Sequence, residues 1–419
     1  MAFRTNTHIV IEQQQNSAFP GKRDNVFTLD FVNEGEIVST WQNMTDTAKI
    51  KLPRNVNVVG ADGKPVNWTL QGIYGNNDAA SPLFMRGDKI TIDVGYWFDN
   101  FDGTETLRRT GAAGIPSLFT GYITKISNRV PIVLECEDEM WKLKSLAVKN
   151  KLYKGSEYTV QAMLTEMLTN TGITVVDGTA ETIKTNIGDF RTMNETVAQV
   201  LDRLRKDGGV YSYFRNNELR CSGIVYYPQD RTDKNIFAFQ ENIISDSMEY
   251  TRKEDINICI IAHAEYITTS AAKNNDGTDK SKRKRLEVAV AVTNKQTGEI
   301  SVIPNANNFD GDKITLPVTI KAGMSESDVQ SYLESKAKEY LPKFYYTGWR
   351  GSFTTFGYPV VRHGDILSIE DNVIQERSGD YLVRQVSTKF GLSTGIRQTI
   401  MLHLRTDQAY TQSQLNAGI

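Results

Sequence analysis

Four carboxylate side chains lie close together in the first third of the sequence: Glu135, Glu137, Asp138 and Glu139. Two carboxyl groups held about 5–9 Å apart can act as acid and base on a glycosidic bond. The residues at the start of this stretch, Ile132–Cys136, alternate apolar and polar side chains, which is typical of a half-buried strand. We therefore favour the interpretation that the four carboxylates form the solvated edge of a β-structure, and we assign no catalytic residue.

Side chains that bind metals or act as nucleophiles are few and scattered. They are His8, His263, His363 and His403, with Cys136, Cys221 and Cys259. No HExxH, no CxxC and no closely spaced ligand pair occurs among them. The sequence also lacks a GxSxG elbow, a Walker loop and a GxGxxG that follows a strand. We expect no metal site, no cofactor, no disulfide framework and no enzyme activity.

One dense basic run, Lys280–Arg285, lies within the segment Lys273–Arg285. It could contact DNA or an acidic partner, or it could be the solvated tip of a hairpin beside Asn-Asn-Asp-Gly, and we favour the tip. The whole chain has 48 basic and 50 acidic residues and a net charge of -2. This balance argues against a dedicated duplex-DNA binder, which needs a surplus of basic side chains on one face.

The elements that must position these residues are mostly strands. Apolar and polar residues alternate at Thr47–Leu52, Lys89–Val94, Gly121–Ser127 and Ile132–Cys136, and again at Ile256–Ala262, Arg285–Val292, Ile314–Ile320 and within Thr347–Arg405. Such alternation, interrupted by polar turns, predicts half-buried antiparallel sheet. At 419 residues the chain is long enough for about three folding units.

Three amphipathic helices interrupt the strands. Apolar residues at i, i+3 and i+4 predict helices at Thr159–Asn170, from Asn194 to Gly208, and from a Ser325 cap to Leu341. The first two enclose the strand Ile173–Val176 and precede a hairpin, an order that predicts a compact α/β module between all-β regions. No apolar run is long enough to cross a bilayer, and no secretory signal is apparent.

A short pattern occurs three times in the chain. Gly87-Asp88 begins an alternating strand, and so do Gly311-Asp312 and Gly364-Asp365. After the first and third copies comes a second strand, led by Gly121 or by Gly379, and then another alternating strand. These two stretches predict two related β-units near the two ends of one chain. Their structural turns are predicted at Gly87, Asp88, Gly121, Gly364, Asp365 and Gly379.

The same stretches resemble a known family, the hub proteins at the centre of phage tail baseplates, which includes late-control tail proteins and the N-terminal part of contractile spike proteins. The resemblance lies in RGDKITIDVGYW and LFTGYITKISNRVPIVLECEDEMWKLK for the first unit, and in GYPVVRHGDILSIED and SGDYLVRQVSTKFGLSTGIRQTIMLHL for the second. TVQAMLTEMLTNTGI with TVAQVLDRLRKDGGVYSYFRNNELRC is similar to the helical insert of that family. By pattern, the resemblance covers most of the chain, although Lys273–Arg285 matches nothing in the family.

The resemblance implies a mainly β fold with α+β inserts, built on two tube-like antiparallel β-barrels that are related by internal duplication. The implied parts are a first barrel at 1–148, an α/β insert at 149–233, the start of the second barrel with an insert at 234–342 that carries a helix at 325–341, the remainder of the second barrel at 343–410, and a polar tail at 411–419.

The resemblance also implies a structural role in the tail baseplate of a phage or a phage-like contractile injection system. Three copies would close a homotrimeric ring of six similar barrels, which adapts the sixfold tail tube protein to a threefold spike. Because the sequence ends shortly after the second unit, we expect a separate spike protein to form the tip. Other expected partners are baseplate proteins, and DNA only by passage through the lumen. We expect assembly in the host cytoplasm, a final place in the virion tail, and no stable membrane insertion.

Two alternative functions stay open at the level of sequence. One is a tail-associated peptidoglycan hydrolase that uses Glu135 or Glu137, and the other is a receptor-binding or glycan-binding tail module. Loss of peptidoglycan turbidity would favour the first, and binding of the isolated protein to glycans would favour the second.

Overall fold

The computed structural model describes residues 3–406, apart from 16, 18–22, 24, 54–56, 61–62, 64, 68–81, 101–103, 113, 128–130, 155–156, 178–189, 209, 216–217, 223–234, 274–278, 319 and 321–323. The predicted boundary at 233 and the predicted tail at 411–419 lie outside the described residues.

The first part of the chain is a run of antiparallel strands. They are β1 (Phe3–Glu12), β2 (Val26–Leu29), β3 (Glu34–Thr40), β4 (Thr47–Leu52), β5 (Asn57–Gly60), β6 (Pro65–Asn67), β7 (Lys89–Asp99), β8 (Glu105–Arg109), β9 (Phe119–Ile126) and β10 (Ile132–Glu137). The sheet order is β3-β4-β10-β9-β7-β1-β2-β5-β6, and β8 pairs with the C-terminal half of β7. Burial alternates along β4 and β10, as their sequence predicts for a sheet with one face on a core. Ile50, Ile92 and Leu134 lie in that core.

A small α/β module follows. Its elements are α1 (Met140–Ser145), β11 (Lys151–Tyr153), α2 (Val160–Met167), β12 (Thr174–Asp177), β13 (Phe190–Thr192), α3 (Val197–Gly208), β14 (Tyr211–Arg215) and β15 (Glu218–Ser222). β12 runs parallel to β15, which forms a hairpin with β14. The apolar faces of α2 and α3 pack around a core of their own that contains Leu164 and Leu201. The sequence did not predict α1, because six residues are too few to show helical periodicity.

Three short strands lead into a second helical insert. They are β16 (Asn235–Ala238), β17 (Ile243–Asp246) and β18 (Glu249–Thr251). The insert contains β19 (Ile258–Lys273), β20 (Asp279–Asn294), β21 (Glu299–Ile303), β22 (Asp312–Pro317) and α4 (Glu326–Tyr340). Its sheet order is β21-β20-β19-β22. The predicted cap is confirmed, since Ser325 Oγ accepts a hydrogen bond of 3.2 Å from the Asp328 N–H. Val329 and Leu333 of α4 pack on this sheet.

The prediction of a hairpin tip at Lys273–Arg285 needs correction. Lys280–Arg285 lies in β20, where Arg285 pairs with Glu265 and Lys284 pairs with Tyr266. Only 274–278, between the two strands, are outside the described residues. The hairpin itself is as expected, but the partner strand continues through residue types that favour strands, so pairing extends across the basic run.

The last part of the chain returns to antiparallel strands. They are β23 (Gly348–Arg350), β24 (Ser352–Phe356), β25 (Ile366–Glu370), β26 (Gly379–Gly391) and β27 (Gly395–Arg405). The sheet order is β25-β26-β27-β24-β17, while β16 runs parallel to β25 and β18 pairs with β23. Phe237, Phe353 and Ile400 lie in the core of this part.

The first and last parts of the chain share one continuous sheet, because β26 also pairs with β3. The fold is therefore mainly β, with sheets that are mostly antiparallel, as predicted. Along the described strands neither part forms a closed path of pairing, so barrel closure stays a prediction.

Candidate functional site

The chain contains the same five-stranded arrangement twice. The first repeat is β3, β4, β7, β9 and β10, and the second repeat is β17, β24, β25, β26 and β27. Their sheet orders are β3-β4-β10-β9-β7 and β17-β24-β27-β26-β25, so the strands correspond in chain order and in pairing. Every neighbouring pair in both repeats is antiparallel.

A tight turn begins the third strand of each repeat. The Gly87 N–H donates to the Ile123 carbonyl at 2.8 Å, and the Gly364 N–H donates to the Val383 carbonyl at 2.8 Å. The two glycines have φ of +96° and +82°, a left-handed conformation that glycine adopts without the penalty of a Cβ atom. The third sequence copy differs, because the N–H that follows Gly311 donates to the Asn257 carbonyl and begins a strand that runs parallel to β19.

The aspartate of each turn fixes the residues before it. Asp88 Oδ2 accepts from the Met85 N–H at 2.7 Å, and Asp365 Oδ2 accepts from the Arg362 N–H at 2.7 Å. Both aspartates are buried. The two turns therefore share a side-chain hydrogen bond as well as a backbone conformation.

Each turn aspartate also meets a buried arginine from elsewhere in the chain. Arg23 Nη2 lies 2.5 Å from Asp88 Oδ2, and Arg215 Nη2 lies 3.3 Å from Asp365 Oδ1. Burial raises the pKa of Asp365, while Arg215 opposes that effect. Arg215 belongs to β14, so the second of these ion pairs connects the α/β module to the second repeat.

A β-bulge occurs at the same place in both repeats. On β9 the pairing with β10 skips Thr124, and on β26 the pairing with β27 skips Arg384. Together with the turn hydrogen bonds, this bulge aligns Ile123 with Val383. Gly121 then corresponds to Tyr381, two residues after Gly379. The sequence pattern that matched Gly121 with Gly379 is therefore displaced by two residues. Gly121 lies inside β9 and not in a turn, whereas Gly379 is the first residue of β26.

The two repeats meet along a pair of strands that we call the intrachain seam, Glu34–Thr40 of β3 against Gln385–Gly391 of β26. Phe390 is fully buried among the core residues of the first part of the chain. It packs directly on Gly35, where a Cβ atom would lie 2.2 Å from the Phe390 ring. The second repeat thus completes the core of the first.

Polar side chains from three parts of the chain converge beside the seam. Ser39 Oγ lies 2.7 Å from His363 Nδ1, and Asp46 Oδ1 lies 3.5 Å from the same nitrogen. Arg215 Nη2 donates to the His363 carbonyl at 2.6 Å. Burial, and then the charges of Arg215 and Arg362, hold the pKa of His363 well below 6.5. The imidazole is therefore neutral in the folded protein.

Two buried carboxyl groups lie at the edge of this network. The Thr40 N–H donates to Asp46 Oδ1 at 3.0 Å, and the Asp46 N–H donates to Asp138 Oδ2 at 3.0 Å. Asp138 Oδ1 also accepts from the Met140 N–H at 3.0 Å, at the start of α1. Burial raises the pKa of Asp46, and burial with the neighbouring Asp46 raises the pKa of Asp138 well above its ordinary value. Both carboxyl groups hold backbone in place.

A cavity of about 540 Å³ adjoins these groups. It is lined by Asp46, Asp138, Glu139, Phe214 and Arg362, by part of the loop 111–118 and by the first two residues of β9. Burial lowers the pKa of Arg362 to about 10. Arg362 Nη2 donates to the carbonyls of Ser117 and Leu118, so the arginine ties this loop to the second repeat.

The four carboxylates near residue 135 separate into different environments. On β10, Glu135 lies 3.5 Å from the Lys125 ammonium and Glu137 lies 2.6 Å from the Lys144 ammonium. Glu139 is buried and accepts from the Tyr122 hydroxyl at 2.9 Å. Asp138 supports backbone, as described above. Each carboxylate is thus engaged in an ion pair or a structural hydrogen bond.

The histidines lie in separate surroundings. His8 Nδ1 is 2.7 Å from Asp30, His263 Nε2 is 3.0 Å from the Lys206 carbonyl, and the His403 ring packs 5.5 Å from Trp41. The part of the chain that the structure describes contains no group of three or more side chains placed to hold a metal ion. In the same residues, no helix is long and apolar enough to cross a membrane.

The sequence did not point to most residues of this junction. Asp46, Arg215 and Arg362 carry no motif, and charged residues are seldom buried. The one available signal was Arg362-His363-Gly364-Asp365, where three ionisable side chains flank the glycine of a repeated turn.

No family model and no curated protein matches this sequence. Solved structures do match along nearly the whole chain. The tail protein from Neisseria meningitidis MC58 is 11% identical with a TM-score of 0.53, and the match covers 97% of this chain and 99% of that one. The 43 kDa tail protein of prophage MuSo2 from Shewanella oneidensis is 9% identical with a TM-score of 0.52, covering 96% of this chain and 100% of that one. This chain has the fold of these tail proteins.

A chain of the lidded Francisella PdpA-VgrG complex has the same fold at 10% identity and a TM-score of 0.52. The match covers 97% of this chain but 54% of that chain, so this chain spans about half its length. The resemblance to tail hub proteins is thus confirmed at the level of the fold. Identities this low carry no residue roles across.

Proposed function

We propose that this chain is a structural hub of the tail baseplate of a phage or a phage-like contractile injection system. The observation that supports it most directly is the repeated five-stranded arrangement, with its shared turn, bulge and seam. The fold shared with two tail proteins, one of them from a prophage, supports the same assignment. We interpret the two repeats as products of an internal duplication, each forming part of a tube-like barrel.

The proposed mechanism is geometric. Two similar units in each chain and three chains in a closed ring give six similar units around one axis. One face of this ring would match the sixfold tail tube protein, and the opposite face would seat a threefold spike made by a separate protein. The remaining partners would be other baseplate proteins, while DNA would pass through the lumen. The ring would assemble in the host cytoplasm and remain in the virion tail.

A role without catalysis fits the chemistry of the candidate site. A glycosidase needs one carboxyl group that donates a proton and one that stays free to act as base or nucleophile. Glu135 and Glu137 are paired with lysines on the outer face of β10, and Asp138 accepts two backbone hydrogen bonds. We find no observation that favours the hydrolase or the glycan-binding alternative.

The direct test of this function is the mass of the purified chain in solution. We expect a stable species of three times 47.1 kDa by light scattering or native mass spectrometry, and stacked rings when tail tube protein is added. A strict monomer at micromolar concentration, with no ring on addition of tube protein, would contradict the proposal.

A further inference from the structure

We propose that the end of β9 and the residue after it (125–127) in one copy pair with β18 of the next copy, in the register that β26 and β3 use within the chain. The inference extends the proposed ring, because it identifies which edges close it. It rests on the correspondence between the repeats. Within the chain, the first repeat contributes the edge of β3 and the second repeat contributes the edge of β26. In the proposed contact, the first repeat of one copy contributes β9, the equivalent of β26, and the second repeat of the next copy contributes the equivalent of β3.

The strand equivalent to β3 is found from its partner. In the first repeat Gly35 pairs with Ile50, and in the second repeat Asp246 pairs with Phe353. Ile50 and Phe353 correspond, since each lies opposite the equivalent residue of β10 or β27. The seam strand Glu34–Thr40 therefore corresponds to 245–251, which covers the end of β17 and all of β18.

The strand equivalent to β26 is β9. The aligned bulges place Lys125 at the position of Gln385, which pairs with Thr40 in the intrachain seam. The equivalent of Thr40 is Thr251. The geometry thus places Lys125 of one copy opposite Thr251 of the next copy.

The next two pairs follow from the same register. They place Ile126 opposite Tyr250 and Ser127 opposite Glu249. In this arrangement Lys125 lies diagonal to Glu249 across the new strand pair, where opposite charges attract.

Both edges are open among the strands that the structure describes. Among the described strands, β17 pairs only with β24 and β18 only with β23, and beyond Ile123 the strand β9 pairs only with β10. An unpaired edge exposes backbone donors and acceptors that can pair with another chain.

The side chains along the β17 and β18 edge also suggest a covered surface. Tyr250, which would face Ile126 of the other copy, is 49% exposed although its aromatic ring is large and apolar. Ser39, the counterpart of Tyr250 in the intrachain seam, is only 6% exposed; it pairs with Val386 of β26, and its hydroxyl contacts His363. Large apolar side chains on an unprotected edge are typical of an interaction site.

A second copy of this chain is the occupant that the observations favour. The two open edges are different and mutually complementary, since they repeat a pairing that the chain already makes with itself. Such a head-to-tail contact joins copies through one repeated rotation and closes into a ring when the rotation permits. A like-with-like contact would use the same edge twice and would not reproduce the intrachain seam.

A pair of engineered cysteines tests the register. We would combine Lys125→Cys with Thr251→Cys. The Ser127 N–H donates to the Val133 carbonyl of β10, so the backbone groups of Lys125, two residues earlier on the strand, also face β10. Lys125 therefore occupies a non-hydrogen-bonded site of the open edge. Directly opposite Cα atoms at such sites lie about 4.5 Å apart, within reach of a disulfide. The native Cys136, Cys221 and Cys259 are buried and free. The matched control combines Lys125→Cys with Tyr250→Cys, one residue out of register and on the opposite face.

Mild oxidation of the native protein should shift the Lys125→Cys/Thr251→Cys chain to a covalent ring species on non-reducing gels and leave the control unshifted. Mixing the two single variants should give heterodimers and no homodimers.

If the unmodified chain is a trimer but no Lys125–Thr251 disulfide forms, the proposed register is wrong and the proposed trimeric ring stands. If the disulfide joins copies of a chain that is otherwise monomeric, the edge pairing holds and the trimer fails. Homodimers from either single variant, or no disulfide and no trimer, would overturn the inference.

Discussion

Buried ionisable side chains at the junction of the repeats connect stability to pH. His363 has no solvent contact that could favour its charged form, and Arg215 and Arg362 add repulsion, so its pKa lies well below 6.5. In the unfolded chain the same imidazole takes up a proton near pH 6.5. The folded protein therefore binds fewer protons than the unfolded chain, and this group makes it less stable as the pH falls below about 6.5.

The variant His363→Gln should remove this pH dependence. Wild type should be the more stable protein at pH 7.5, because His363 is packed and paired with Ser39. As the pH falls from 6.5 to 5, the difference in the free energy of unfolding should narrow by about 1 kcal/mol per pH unit, close to the limit for one proton. Denaturant titrations of both proteins at several pH values measure this difference in the free energy of unfolding. Titration of Asp46 and Asp138 affects both proteins, so parallel curves would contradict the role of His363.

Residue types alone gave little guidance to this site. The sequence drew attention to Glu135 and Glu137, which lie in ion pairs with lysines, and passed over Arg215, which is buried, and Arg362, which is half-buried. Burial of a charge depends on which distant segments pack around it, and no local pattern records that. The turn residues Gly87 and Gly364 could be identified, because their requirement for positive φ is local.

At the scale of elements, the hairpin of β26 and β27 carries the link between the repeats. It inserts Phe390 and Ile396 into the core of the first part of the chain while Val386 and Ile400 belong to the core of the last part. One hairpin therefore contributes to two cores. We expect the two repeats to unfold together because they share it.

Replacement of Phe390 by alanine tests this coupling. Phe390 is fully buried, so Phe390→Ala should cost about 3–5 kcal/mol. Amide exchange should quicken in both β3 and β26, and the loss should appear as one cooperative transition. Leu392→Ala is the matched control, since Leu392 is 69% exposed at the tip of the same hairpin and its removal should have little effect. Faster exchange in β26 alone, with β3 unchanged, would show that the repeats are independent.

Local periodicity predicted most strands and the three longer helices, because each of these elements has one face on a core. It missed α1, which has fewer than two turns, and it placed the basic run of β20 in a loop, because consecutive charged residues do not alternate. It could not predict the pairing of β26 with β3, since the partners are about 350 residues apart in sequence. Such pairing depends on both strands having open edges at the same place, which only the folded chain shows.

At the scale of the whole molecule, the intrachain seam gives the chain a repeated geometry with two unmatched ends. One end is the open edge of β9, and the other is the open edge of β17 and β18. A structure that repeats one contact must either close on itself or continue to grow. The proposed hub role requires closure after three chains.

The proposed hub requires that one chain supply two equivalent positions of a sixfold arrangement. The most direct measurement is cryo-electron microscopy of the purified assembly viewed along its axis, averaged without imposed symmetry. We expect six similar lobes in the inner ring, formed by the two repeats of three chains, with threefold symmetry outside that ring. An inner ring with only three lobes, or an assembly with twofold symmetry, would contradict it.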